Sequence, residues 1–287
     1  MSSIVRTERR MGDIPRIMGI LNVTPDSFSD GGQFLDATSA LGHARHMCEA
    51  GVDIIDVGGE STRPGADAIS IHEELDRVIP VVEAIHRQCD VQISIDTSKA
   101  LVMNEAVRAG AGFINDTRAL TQEGAMEAAV TLNVPVCLMH MKGEPKSMQI
   151  DPYYEDVTRE VGQFLEERAQ ACEQAGILPD NIYIDPGFGF GKTFEHNMTL
   201  MAKLQTLVER LGRPLVVGVS RKSMIGKIVT QSQCRLIGSV SLAMLAAIKG
   251  ASILRVHDVR PTYDALAILK QVWEYEASPG VCEGSVH

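Results

Sequence analysis

The chain has 287 residues, 45% of them hydrophobic and only 5% aromatic, which is enough for a large, mostly aliphatic core in one or two domains. Its formal net charge of −10 argues against nucleic acid or an anionic membrane as partner, because both are held by summed positive charge. The six cysteines (Cys48, Cys89, Cys137, Cys172, Cys234 and Cys282) form no Cys-x-x-Cys pair and have no histidine at zinc-ligand spacing, so they read as reduced thiols of a cytoplasmic chain.

Residues 1–15 read as an N-terminal extension. They contain no apolar h-region, so no secretory leader is expected. From 16 to 277, short β-type runs alternate with longer helical patterns, the signature of parallel βαβ units. In chain order the expected strands are 17–21, 53–57, 91–95, 113–115, 134–139, 182–185, 215–219 and 252–256. The expected helices are 40–50, 73–88, 99–109, 123–132, 154–175, 198–211, 237–249 and 261–275. Gly51, Gly110, Gly176, Gly212 and Gly250 follow helices where a left-handed residue would stop them. Eight such units with no Pro-, Ser- or charge-rich linker fit an α/β fold made of a single (β/α)8 TIM barrel, with a doubly wound sheet as the alternative. The longest apolar run, 240–248, is broken by Ser241 and too short to span a bilayer. Residues 278–287 read as a flexible C-terminal tail.

A barrel places its chemistry just after the strands, and the polar motifs fall there. Asn22-Val-Thr-Pro-Asp-Ser-Phe-Ser-Asp-Gly-Gly32 follows the first strand with an amide, two carboxylates, three hydroxyls and an aromatic, more than a plain connection needs. Gly58-Gly-Glu-Ser-Thr-Arg-Pro-Gly65 follows the second, and Asp96, Asn115, His140 and Asp185 come at later strand ends. Asp96, Asn115 and Asp185 would converge on a ligand rich in N–H donors; the alternative is that each merely caps the next turn. Arg63, Arg221, Lys222, Arg255 and His257 gather positive charge at the same rim of an acidic protein, which points to an anionic group such as phosphate. Gly187-Phe-Gly-Phe-Gly-Lys-Thr193 fails as a phosphate loop, because Pro186 stands where the first glycine is required. It reads as a flexible loop in which Phe188 or Phe190 can cover an aromatic ligand. Gly218-Val-Ser-Arg-Lys222 lacks the second glycine of a nucleophile elbow, so the chemistry would rest on positioning and charge.

Taken in order, these motifs, with Ser94-Ile-Asp-Thr97, Met139-His-Met141, Ser220-Arg-Lys-Ser223 and Arg255-Val-His-Asp258, resemble those of the dihydropteroate synthases of bacterial folate biosynthesis, from about Ile17 to Tyr275. The resemblance implies a TIM barrel that joins 6-hydroxymethyl-7,8-dihydropterin diphosphate to p-aminobenzoate with release of pyrophosphate, a homodimer and a Mg2+ requirement. It places Asp96, Asn115, Met139, Asp185 and Lys222 at the pterin and Asn22, Arg63, Arg255 and His257 at the diphosphate. Asn22 would also bind the metal, and Asp30, Lys222 and Arg255 would serve catalysis. Phe28, Thr62, Pro64, Phe190, Arg221 and Ser223 would shape the site for p-aminobenzoate and for sulfonamides. Diphosphate would leave first, as the ring delocalises positive charge, and the aryl amine would attack afterwards. Position 117 is Thr where the family usually carries an aliphatic residue, so its hydroxyl would need a partner if buried. Methyl transfer from a folate to a corrinoid protein would share the pterin pocket but has no use for Ser-Arg-Lys-Ser or Arg-Val-His. A silent pterin-binding protein would not need Asn22, Arg63, Arg255 and His257.

Overall fold

Runs of Ile, Val and Leu only four to seven residues long, each closed by a polar or glycine residue, are too short for helices and bury well between two apolar layers. The computed structural model describes residues 14–24, 33–61, 65–229 and 235–277. Most of the expected N-terminal extension and all of the tail at 278–287 lie outside the described residues, as do Phe28, Asp30, Thr62, Arg63 and Pro64.

In chain order the elements are β1 (Arg16–Asn22), α1 (Gln33–Glu49), β2 (Ile54–Gly58), α2 (Ile71–Gln88), β3 (Gln92–Asp96), α3 (Ala100–Arg108), β4 (Phe113–Asp116), α4 (Ala125–Leu132) and β5 (Val136–Met139). There follow α5 (Val157–Ala175), β6 (Ile182–Asp185), α6 (Phe194–Ala202), α7 (Leu204–Leu211), β7 (Val216–Val217), α8 (Ser223–Ile228), α9 (Arg235–Ile248), β8 (Ile253–Val256) and α10 (Val259–Ala277). All strand pairs are parallel, in the order β6-β5-β4-β3-β2-β1-β8-β7. A bridge between Ile184 and Leu215 closes the ring, with Ile184 N–H donating to Pro214 O at 3.1 Å. The fold is the expected single (β/α)8 barrel.

Side chains alternate along each strand, so every strand contributes one set to the helices and one to the barrel interior. Ile55, Val57, Ile95, Ile114, Val136, Leu138, Ile182, Ile184 and Leu254 join the large outer core under the helices. The opposite parity fills the interior in two layers. Met18, Ile54, Phe113, Cys137, Tyr183, Val216 and Ile253 form one apolar cluster, with the Phe113 and Tyr183 rings edge to face at 5.2 Å. Two residues further along, toward the C-terminal ends of the strands, the registers place Asp56, Asp96, Asn115, Met139, Asp185 and Arg255.

Several boundaries differ from expectation for local reasons. Strand β5 starts at Val136, after Pro135, which has no N–H to give a ladder. The expected strand 215–219 shrinks to Val216–Val217, and the following turn reaches a short helix, α8, that the sequence reading did not separate. The expected helix 198–211 is two helices that meet at Lys203, and α6 starts earlier, at Phe194, under a reciprocal cap between Thr193 and His196. The five glycines expected to stop helices all take positive φ.

Candidate functional site

The inward charged layer is organised around Arg255. Its Nε donates to Asp56 Oδ2 at 2.6 Å and its Nη2 to Asp96 Oδ2 at 2.7 Å. Asn115 Nδ2 donates to the same Asp56 oxygen at 3.0 Å. Burial opposes charge on Arg255, but Asp56 and Asp96 more than offset it, so its pKa is raised above the ordinary arginine value. Burial pushes Asp96 up to about 7, with Asp56 adding to the rise and Arg255 restraining it. Asp185 is pushed up to about 6, again by burial, against the pull of the Gly187 N–H, Lys222 and Arg255. Carboxylates this perturbed and this close together mark a place built to meet donors from a ligand.

The rival reading, that these acids only cap turns, is answered residue by residue. After β3, Lys99 N–H donates to Thr97 Oγ1 at 3.2 Å, which leaves Asp96 to Arg255. After β4 the capping acid is Asp116, which accepts from Arg118 N–H at 2.7 Å, from Leu120 N–H at 2.8 Å and from the Ser98 hydroxyl, so Asn115 faces the interior. Asp185 divides its work: Oδ1 accepts from Gly187 N–H at 2.7 Å, while Oδ2 borders Gly218, which also adjoins Arg255. A Cβ at Gly218 would stand 3.8 Å from Arg255 Cβ and 4.0 Å from Asp185 Oδ2. At Gly58 it would stand 3.4 Å from Asp96 Cβ and 3.8 Å from Asn22 Oδ1. These two glycines keep the mouth above the acids free of side chains.

The other expected residues fall into two groups. Met139 and Phe190 are buried together with Met148, and Lys222 Nζ lies 4.0 Å from the centre of the Phe190 ring. Burial, then Arg255, lowers Lys222 to about 8. His257 is fixed by Ser220, whose Oγ accepts from His257 N–H at 3.2 Å and meets its Nδ1 at 3.1 Å; burial, then Arg221, lowers it to about 4. Arg221 turns outward and pairs with Asp258 at 2.6 and 3.1 Å, and Ser223 is exposed at the start of α8. Thr117 is half-buried. Phe188 does not reach the site; it is fully buried under the helices.

Nor is the 187–191 loop free to flex, because most of its backbone groups are claimed. Gly189 N–H donates to Asn197 Oδ1 at 2.7 Å, Gln149 Nε2 donates to Gly189 O at 2.6 Å, and the Tyr154 hydroxyl donates to Gly191 O at 2.8 Å. From inside, Lys192 Nζ donates to Gly187 O at 2.9 Å, Phe190 O at 3.0 Å and His140 Nδ1 at 2.9 Å. A Cβ at Gly187 would lie 1.9 Å from His140 O and one at Gly191 2.1 Å from Lys142 O, both at positive φ, so no other residue fits.

Sequence reasoning missed Asp56 and the role of Lys192. Asp56 is 1% exposed, and its Oδ1 has no partner among the described residues. A charged residue in the middle of Ile54-Ile-Asp-Val-Gly58 was the available signal, since it shares the inward parity of Gly58. A separate cavity of about 910 Å³ lies at the other end of the barrel, lined by Arg16, Asp53, Tyr263, Lys270 and Trp273. It draws on the starts of strands and on α10, and none of the acids above reaches it.

The pattern of a family described as pterin binding enzyme matches residues 18–257. Among curated proteins, the dihydropteroate synthase of Escherichia coli (strain K12) is 52% identical over 257 residues, which cover 89% of this chain and 91% of that protein. Among solved structures, a Yersinia pestis dihydropteroate synthase in complex with a sulfonamide drug is 51% identical with a TM-score of 0.86, covering 91% of this chain and 95% of the other. A Xanthomonas albilineans dihydropteroate synthase with 4-aminobenzoic acid is 50% identical with a TM-score of 0.87, covering 93% of this chain and 95% of the other.

Proposed function

We propose, from the premise that this chain belongs to the pterin-binding enzymes and within them to the dihydropteroate synthases, that its inward charged layer binds the pterin of 6-hydroxymethyl-7,8-dihydropterin diphosphate for condensation with p-aminobenzoate. The observation that carries the proposal is the convergence of Asp96, Asn115 and Asp185 beside Arg255, with turn-capping delegated to Thr97 and Asp116. The two carboxylates accept from ring and amino N–H groups of the pterin, Asn115 supplies a mixed donor and acceptor, and Met139 packs the ring face. As diphosphate leaves, the ring carries positive charge, and Asp96 and Asp185 lie where that charge develops. Lys222 and Arg255 offset the charge of the leaving group, joined on the family motif by Arg63, and the neutral His257 ring serves the diphosphate by hydrogen bonding alone. The aryl amine is held between Phe190, Lys222 and Ser223, with Arg221 at the rim; the motif adds Phe28, Asp30, Thr62 and Pro64. Sulfonamides compete for this half.

Mg2+ fits the residues present in a limited way. Among the described residues no three His, Cys, Asp or Glu side chains cluster as a metal site. Asn22 offers one amide oxygen at the open mouth beside Gly58, and a hard cation that keeps waters and phosphate oxygens needs little more from the protein. Bound there, the metal would supply positive charge to the departing diphosphate.

A homodimer and a cytoplasmic location belong to the same proposal. Ile237, Leu245 and Ile248 of α9 and Ile268, Val272 and Tyr275 of α10 expose apolar surface on neighbouring helices, which a second copy would cover. Light scattering at micromolar concentration is expected to give twice the monomer mass, and Ile248→Asp to halve it. No helix among the described residues is long and apolar enough to cross a membrane, and Cys48, Cys89, Cys137 and Cys172 are free thiols.

The test is incubation of the protein with dihydropterin diphosphate, p-aminobenzoate and Mg2+. Dihydropteroate and pyrophosphate are expected in equal amounts; well-folded protein that forms neither overturns the proposal.

A further inference from the structure

Lys192 is 2% exposed, and the four groups that its Nζ bonds are all neutral: two carbonyls of its own loop, the His140 ring nitrogen and, at 3.4 Å, His140 O. A buried cation without a bonded carboxylate is costly, and loop rigidity alone could be had from backbone pairing. Burial, then Lys192, holds His140 down to about 2, so the ring is neutral and its Nδ1 accepts. Burial lowers Lys192 itself to about 7; in the ammonium form its three N–H groups point from beneath the loop at Gly187 O, Phe190 O and His140 Nδ1, with His140 O a longer contact at 3.4 Å. Two of those acceptors, Gly187 O and Phe190 O, bracket the turn that presents the Phe190 ring under Lys222.

We propose that Lys192 is a positioning residue for the aryl-amine half of the site, fixing the depth of Phe190 beneath Lys222 while leaving the pterin half to the strands. The proposal rests on the reading of that half as the p-aminobenzoate site. Asp96 and Asn115 stand on β3 and β4, whose ladder bonds do not involve Lys192; Asp185, on β6, meets the loop at Gly187 N–H but feels the Lys192 charge less than those of Lys222 and Arg255. Tyr154 and Gln149 hold the same loop from its outer side, which makes them controls for loop tethering in general.

The experiment is steady-state kinetics of the full-length enzyme, Lys192→Met, Lys192→Gln and Tyr154→Phe, with calorimetric titration of 6-hydroxymethylpterin. Losing donors from a charged group is expected to raise the KM for p-aminobenzoate by about tenfold or more in both Lys192 variants. Pterin affinity and the KM for dihydropterin diphosphate are expected to stay within about threefold, and Tyr154→Phe to stay within about threefold on every measure. An unchanged KM for p-aminobenzoate overturns the proposal. So does a parallel loss of pterin affinity in both variants, misfolding included, because Lys192 would then be a general support of the barrel. Native enzyme that forms dihydropteroate keeps such a failure on Lys192 and off the wider reading.

Discussion

Two layers of the barrel interior are built from the same inward parity of the same strands, one two residues beyond the other. In the lower layer Met18, Ile54, Phe113, Cys137, Tyr183, Val216 and Ile253 fill the space with apolar surface. In the upper one Asp56, Asp96, Asn115, Asp185 and Arg255 fill it with charge, at the cost of carboxylates raised well above their ordinary values. The difference separates two duties. The apolar layer gives the fold its closure, and the charged layer stores unfavourable desolvation that a ligand with matching donors can relieve.

The comparison is broken hardest from below. Phe113→Ala should cost about 3–5 kcal/mol of stability by opening a cavity under the site, read from urea unfolding, with little change in pterin affinity of the protein that remains folded. Arg255→Ala strikes the upper layer and leaves Asp56 and Asp96 facing each other. A loss of about 3 kcal/mol, the low end for a broken buried pair, is expected, since Asp96 can take up a proton. Opposite in sign for fold and function is the effect of pH. Asp96 and Asp185 rise from an ordinary 3.8 to about 7 and about 6, chiefly by burial, so their contribution to stability is full below 3.8 and is lost as pH rises through those values. Pterin binding needs the ionised forms and should weaken as pH falls from 7 to 5, by up to about tenfold per unit for each group. Melting curves of the native protein and Asp96→Asn across that range should therefore diverge in the direction contrary to the affinities. Smallest is Tyr154→Phe, which removes one hydroxyl bond to Gly191 O and should cost about 0.5–1.5 kcal/mol of stability, checked by denaturant midpoint.

Most of the barrel was legible because the interval between apolar runs carries the βαβ rhythm, and because glycine ends helices such as α5 and α7 for a backbone reason visible in the residue itself. The inward placement of Asp96, Asn115 and Asp185 was legible too, since polar residues at strand ends have few other uses in a barrel. What escaped depended on contacts distant in sequence. Asp56 is read only when Arg255, 199 residues away, is seen on its Oδ2. Lys192 had no role once its segment failed as a phosphate loop, and only its bond to His140 turns it inward. Arg221 was grouped with the anion-binding cations, yet the structure gives its guanidinium to Asp258 at the rim, a pairing that no local pattern announces. The break at Lys203 between α6 and α7 has no glycine or proline to mark it.

The central claim, that the charged layer is the pterin site, is tested most directly by calorimetric titration of 6-hydroxymethylpterin into the native protein and Asp185→Asn at pH 8, where both Asp96 and Asp185 are ionised in the free protein. The account predicts a loss of ~1–3 kcal/mol of binding free energy in the variant, with an unfolding midpoint no lower than the native one. Equal affinities for the two proteins would contradict it.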